Sequence, residues 1–178
     1  MRIIAGNYKG RVLGAPSGSG IRPTADKVKG AVFSMIGEIL EGCVAVDLFS
    51  GTGSLGIEAL SRGARICYFG DVSPESVALT KSNIGICGAG SRSVVIAGDF
   101  EKTLMKIPER ADLVFLDPPY KKGLMESCLN LICRQGILSE GGIVVCEHEG
   151  GEDLPDAVAG LQKLKEKKYG RTLISLYG

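Results

Sequence analysis

The amino-acid sequence predicts an α/β protein: a mostly parallel sheet with helices on both faces, finished by a C-terminal antiparallel hairpin. Three observations carry this. Short apolar runs rich in β-branched residues, at 43–49, 66–71, 93–97, 113–117 and 143–147, alternate with helical patterns at 55–62, 74–86, 100–106 and 124–134. Strand–helix alternation of this kind builds a parallel sheet covered on both sides. The segments 162–168 and 171–177 flank Tyr169-Gly170 with no room for a helix, so they pair antiparallel. Glycine is abundant, 26 of 178 residues, about twice the usual share. With no collagen-like or low-complexity period, that surplus points to tight turns and to backbone approaching a ligand.

Taken in order, residues 2–13 form a short β segment with turns at Gly6-Asn7 and Lys9-Gly10, and 15–20 is a Pro/Gly/Ser loop. Arg22-Pro23-Thr24 opens a helix running to about Leu40, in which Val28, Val32, Met35, Ile36, Ile39 and Leu40 recur at helical spacing. Gly30 inside that helix costs roughly 1 kcal/mol relative to alanine. The length suits one domain, residues 1–178. A hydrophobic share of 44% with 23% charged residues excludes a disordered chain.

No apolar run reaches the roughly 18 residues of a membrane span, and the N-terminus carries no secretory pattern. The expectation is a cytoplasmic protein. Cys43, Cys67, Cys87, Cys128, Cys133 and Cys146 are scattered, never as C-x-x-C, and read as reduced thiols used as small hydrophobes. His148 is the sole histidine. A zinc site built on two histidines is excluded, and no metal is expected.

The net charge of +1 hides a division. Residues 1–30 carry six basic side chains against Asp26, and residues 161–178 carry five against Glu166, so the body between them is at −8. Two basic ends on an acidic body suit a polyanion held at one edge and something cationic at the centre.

The first strand delivers Asp47-Leu48-Phe49-Ser50-Gly51-Thr52-Gly53-Ser54-Leu55-Gly56. Gly51, Gly53 and Gly56 fit G-x-G-x-x-G, with Asp71 ending the next strand 20 residues after Gly51. That pattern alone serves any adenosine-containing cofactor, dinucleotides included. Asp47 argues against a dinucleotide, because a fixed carboxylate before the turn repels a pyrophosphate seeking backbone N–H groups. The same carboxylate suits the ammonium and sulfonium of S-adenosylmethionine. Asp71 would accept from both ribose hydroxyls and Asp99 from the adenine amine.

The fourth strand ends in Asp117-Pro118-Pro119-Tyr120. The prolines fix the backbone and leave the Pro118 carbonyl free to accept. The exocyclic amine of a base is a poor nucleophile because its lone pair is delocalised into the ring. Hydrogen bonds from that amine to Asp117 and the Pro118 carbonyl localise the pair and aim it at an electrophilic methyl, while Tyr120 stacks on the base. An acceptor-only carboxylate matches the N1–H and N2–H2 of guanine better than the donor–acceptor edge of adenine.

Five segments occur in order: Arg2-Ile3-Ile4-Ala5-Gly6 with Lys9-Gly10-Arg11; Arg22-Pro23-Thr24; Asp47 to Gly56 continuing through Glu58-Ala59-Leu60-Ser61-Arg62-Gly63-Ala64; Asp117 to Tyr120; and Tyr169-Gly170-Arg171. Across essentially the whole chain they resemble the bacterial 16S rRNA (guanine-N2) methyltransferase family. The resemblance implies a seven-stranded class I, Rossmann-like methyltransferase fold, S-adenosylmethionine as cofactor, and one guanine of 16S rRNA as target. The substrate would be the assembled or assembling small subunit, so that the particle supplies the shape and no separate RNA-binding domain is needed.

By the same resemblance Asp117, Pro118, Pro119 and Tyr120 form the target-amine site, and Asp47, Phe49, Gly51, Gly53, Gly56, Asp71 and Asp99 the cofactor site. Arg2, Lys9, Arg11, Arg22 and Thr24, in the basic extension 1–30, face RNA. Where relatives tend to carry Arg-Glu and then an apolar-Phe-Asn stretch, this chain has Lys29-Gly30 and Phe33-Ser34. Three rival readings stay open. A DNA adenine-N6 methyltransferase shares the Asp-Pro-Pro-Tyr chemistry but needs elements at base edges that 178 residues hardly supply. A dinucleotide-dependent oxidoreductase leaves Asp117 to Tyr120 unexplained, and a catalytically silent rRNA-binding assembly factor leaves two complete half-sites unused.

Overall fold

Five parallel strands, the central three buried along most of their length, set the architecture. In the computed structural model, which describes residues 1–16, 23–37, 40–119, 123–151 and 153–178, β1 (Val44–Asp47), β2 (Ile66–Asp71), β3 (Ser93–Ala97), β4 (Ala111–Leu116) and β5 (Leu138–Glu149) run parallel. Three antiparallel strands follow: β6 (Ala157–Val158), β7 (Leu161–Tyr169) and β8 (Thr172–Tyr177). The sheet order is β3-β2-β1-β4-β5-β8-β7-β6. The direction of winding reverses between β1 and β4, and ligands of open α/β sheets lodge at the strand C-termini beside such a reversal.

The strands alternate their side chains between two cores. On one face α1 (Pro23–Ile36), α2 (Ser54–Ser61) and α3 (Pro74–Cys87) bring Val32, Phe33, Ile57, Leu60 and Ile84 onto Ala45, Phe69 and Phe115. On the other, α4 (Phe100–Met105) and α5 (Leu124–Arg134) bring Leu104, Met125, Leu129 and Ile132 onto Val46, Val114 and Leu116. Fully burying such side chains contributes about 1.5–3 kcal/mol each. Helices on both faces and a closing hairpin are as the sequence predicts. Of the cysteines, five are buried and Cys133 is half-buried, and none forms a disulfide.

Several elements depart from expectation. Among the described residues the sheet has eight strands rather than seven, because Ala157 and Val158 pair with Gln162 and Leu161 across a turn containing Ala159 at φ 50°. The first helix stops at Ile36 instead of Leu40, since Gly37 adopts φ 74° and ends it. β5 reaches back to Leu138 through Gly141 and Gly142, with a register shift against β4. Residues 2–13 form no ladder: one bridge joins Arg2 to Val12, and the segment packs on the protein through Ile3 and Leu13.

That packing centres on Glu58 of α2, which is fully buried. Its carboxylate accepts from the backbone N–H groups of Ile4 at 2.8 Å and Ala5 at 3.0 Å and from Arg62 Nε at 2.8 Å, with Lys29 Nζ at 3.4 Å. Lys29 is itself buried and donates to the Arg2 carbonyl at 2.7 Å; burial pulls its ammonium below the usual lysine range. Gly6 lies so close to Ser61 that a Cβ would overlap the Ser61 carbonyl. Lys29, counted with the basic N-terminus, is therefore an internal ion partner and no part of the basic surface.

Glu58→Ala leaves the Lys29 ammonium buried without its counter-charge, and urea unfolding is expected to show a loss of about 3–5 kcal/mol. Adding Lys29→Met recovers part of that loss; a loss below about 1 kcal/mol for Glu58→Ala would contradict this role.

Candidate active site

The glycine turn forms because β1 hands the chain to α2 within a few residues. After β1 ends, Leu48 N–H still donates to Phe115 and Ser50 N–H to Gly70, so the turn is tied to both neighbouring strands. Gly51 at φ 51° and Gly53 at φ 75° take left-handed backbone that other residues resist. Gly56 is required for packing, since a Cβ there would lie 2.3 Å from the Phe69 ring. A Cβ on Gly51 would meet only the Phe49 carbonyl at 4.0 Å, so the turn is open on its outer side. From α3, Thr80 Oγ1 donates to the Gly51 carbonyl at 3.0 Å and Asn83 Nδ2 to Thr52 at 2.8 Å. These two side chains, missed in the sequence, hold the turn from behind.

Asp47, at the end of β1, is buried, and its Oδ2 accepts from Gly56 N–H at 3.0 Å in the first turn of α2. Burial pushes its carboxyl up to about 7; the Gly56 bond opposes this, and the charges of Asp117 and Asp71 add to it. Asp71 ends β2 with Oδ2 accepting from Gly51 N–H at 2.9 Å and Oδ1 from Ser73 N–H at 2.8 Å. Each oxygen keeps a second lone pair for a ligand. Asp99 is exposed beyond β3, where it caps α4 by accepting from Lys102 N–H at 2.8 Å. Phe49 is half-buried, its ring 6.2 Å from that of Phe100.

Asp117 follows β4 directly and stands exposed at the mouth of the cleft, with Pro118 buried and Pro119 exposed. Desolvation by the surrounding protein raises its carboxyl to about 6. Tyr120 lies outside the described residues. The β4–β5 register, Leu116 opposite Cys146, brings up a group the sequence reading passed over. Glu147 sits beside Asp117, half-buried, and burial together with the Asp117 charge raises it to about 8. Both carboxyls are raised, Glu147 further than Asp117, so Glu147 is the one that keeps its proton to the higher pH.

Glu147 belongs to Cys146-Glu147-His148-Glu149, an acid at a strand C-terminus with no motif around it. Among the described residues no protein donor bonds either Asp117 or Glu147, and no lysine or arginine lowers Asp47, Asp117 or Glu147. Nor do three His, Cys, Asp or Glu side chains there converge to hold a metal ion. This edge is a set of desolvated acceptors lacking a cation.

The predicted RNA-facing residues are more dispersed. Arg2 and Lys9 line a groove of about 460 Å³ with Lys27 and Asp26, and Arg2 is drawn toward Asp26 at 3.8 Å. Arg11 donates to the Ile86 carbonyl at 2.7 Å and lies 5.4 Å from the Tyr8 ring centre. Arg22 lies outside the described residues; Thr24 falls in the first turn of α1, its side chain likewise outside them. Among the described residues no helix is long and apolar enough to cross a membrane.

The model of the family "Conserved hypothetical protein 95" matches residues 1–178. YlbH of Bacillus subtilis is 39% identical over 180 residues, covering 99% of this chain and 98% of that protein. "Ribosomal RNA small subunit methyltransferase D" of Escherichia coli K12 is 31% identical over 177 residues, covering 99% of this chain and 89% of its own length. Among solved structures, the yhhF protein of Escherichia coli superposes with a TM-score of 0.88 at 28% identity, covering 99% of this chain and 96% of that one.

The folded protein holds protons on Asp47 and Asp117 more tightly than the unfolded chain does. Unliganded stability is therefore expected to fall as pH rises from about 4 to about 7. Asp47→Asn removes the Asp47 share. Its urea stability should exceed that of the wild type by about 1–3 kcal/mol at pH 7.5 and equal it near pH 4; an equal or lower value at pH 7.5 would contradict the assignment.

Proposed function

The chain belongs to the Conserved hypothetical protein 95 family, and from that membership and the geometry of the cleft we propose that it is an S-adenosylmethionine-dependent methyltransferase acting on the exocyclic N2 amine of one guanine in 16S rRNA. The observation that carries this reading is the pair of desolvated carboxyls at the ends of β1 and β4, Asp47 buried and Asp117 at the mouth of the cleft, with no protein cation among the described residues to neutralise them. A pyrophosphate would be repelled there, whereas a cationic cofactor completes the site. The relatives' names, rRNA methyltransferase among them, agree with it.

The residues present fit that cofactor. Asp47 receives its positive end, Gly51 and Gly53 let it approach the backbone, Asp71 accepts from ribose hydroxyls, and Asp99 offers its exposed carboxylate to the adenine amine. Phe49, with Phe100, forms the apolar wall beside it. When bound, S-adenosylmethionine supplies an electrophilic methyl group on a sulfonium.

Asp117 and the Pro118 carbonyl accept the two N2 hydrogens, which localises the amine lone pair and points it at the methyl. Pro119 stiffens the turn, and Tyr120 stacks on the base. After transfer Asp117 takes up the proton that the methylated amine sheds. Residues 1–178 act as one domain whose basic N-terminal part, with Arg2, Lys9, Arg11, Arg22 and Thr24, steers toward rRNA. The substrate is the assembled or assembling small subunit in the cytoplasm.

The test is transfer of a labelled methyl to small subunits lacking the modification, with naked 16S rRNA and duplex DNA in parallel and the product nucleoside identified by mass. N2-methylguanosine on the particle is expected; label on DNA adenine would overturn the partner and the base, and no label despite cofactor binding would point to a silent assembly factor. Asp117→Ala should lower kcat by at least about 10³-fold while cofactor affinity stays within about threefold. Retained turnover would remove Asp117 from the mechanism.

A further inference from the structure

Glu147 has no task in methyl transfer as described, yet it stands in the same cleft. It lies on β5, next to β4, and its strand alternation with Val145 and Ile143 turns it to the face that carries α1 and α2. Asp47, in phase with Ala45 of the same core, faces that side too. The sheet order β1-β4-β5 and its register then set out a row across the cleft: the cofactor carboxyl Asp47, level with Phe115, and, two residues further along, Asp117 and Glu147 side by side. Neighbouring strands are ~4.8 Å apart, comparable to the span of a guanine edge from N2 to O6.

From this line, and resting on the guanine-N2 reading above, we infer that Glu147 is the specificity-determining residue for guanine, donating from its carboxyl to O6 while Asp117 accepts from N1–H and N2–H. The target amine must lie nearest the cofactor, hence at Asp117, and N1–H and O6 follow toward β5 in that order. The first two positions offer hydrogens and want an ionised carboxylate. The third is an acceptor and wants an O–H.

Two adjacent desolvated carboxyls without a cation cannot both be ionised, so the pair supplies one of each kind, with Glu147 as the protonated member. Adenine, with N6 at Asp117, would set its N1 acceptor against the second carboxylate oxygen and a C–H against Glu147. Both contacts fail, and buried polar groups left unpaired discriminate strongly.

Asp117 is the charge Glu147 feels. Around it β8 brings Ile174, and β7 brings the exposed Lys167, paired with Ile174, and Tyr169, whose hydroxyl contacts Met35 of α1. On its own strand His148 turns to the opposite face, bonded to Ser175 and near Glu166, while Glu149 is exposed beside Lys168 and Arg171 of the hairpin turn.

Wild type, Glu147→Gln and Glu147→Ala are compared on small subunits lacking the modification, measuring kcat/KM from pH 6 to 9, the product nucleoside by mass and S-adenosylmethionine affinity by calorimetry. Wild-type kcat/KM should fall about tenfold between pH 7 and pH 9 as Glu147 loses its proton. Glu147→Gln, whose amide still donates to O6, should stay within about threefold of the wild type at pH 7 and lose that alkaline fall. Glu147→Ala should be at least about 30-fold lower throughout, with cofactor affinity unchanged. N2-methylguanosine formed equally well by Glu147→Ala, or an alkaline fall that persists in Glu147→Gln, would overturn this role alone. Wild-type label on adenine would overturn it together with the guanine reading.

Discussion

The cleft is governed by an electrostatic constraint: Asp47, Asp117 and Glu147 stand at or near the C-terminal ends of three adjacent strands on one face, desolvated, with no cation among the described residues to balance them. In isolation such a cluster destabilises the fold that carries it. It persists because the backbone leaves little choice. Asp47 is fixed by Gly56 N–H, and Asp117 by two prolines. A site strained in this way is complementary to positive charge, and the glycine turn gives that charge access to the backbone.

The scaffold around the cleft is held by a second buried charge cluster with the opposite character. Glu58 is fully satisfied by two backbone N–H groups, Arg62 and Lys29, so it binds the N-terminal segment and α1 to α2 at once. Thr80 and Asn83 extend this support to the glycine turn, and Asn83 also joins Gly14 through both its oxygen and its nitrogen. The first 14 residues are thus wedged between α2 and α3, and their basic side chains are carried on a rigid base.

Much of this was legible in the sequence where a local pattern and a local punctuation agreed. Residues 66–71, 93–97 and 124–134 form β2, β3 and α5 at the expected bounds, each bracketed by turn-forming residues. Asp117 was visible because two prolines follow it, and Asp47 because glycines do. Glu147 was not, because its significance lies in the β4–β5 register, which no local motif records. Lys29 resembled surface charge for the same reason: its partner Glu58 is distant in sequence. Gly37 ended α1 early by its backbone angle, and β6 is too short to leave a periodicity. Asp99 was expected only as a ligand contact; its Oδ1 caps α4 and its Oδ2 lies 3.7 Å from Lys102 Nζ, a role in the fold that no sequence motif records.

The central claim is that the buried Asp47 carboxyl keeps its proton until a cationic cofactor enters. Its most direct measurement is S-adenosylmethionine binding by calorimetry from about pH 6 to about pH 7.5 in buffers of different ionisation enthalpy, with NADH as a comparison ligand. Affinity that tightens as pH rises, with protons released on binding and no comparable uptake of NADH, is the predicted result. Affinity independent of pH with no proton release, or tighter binding of NADH, would contradict it.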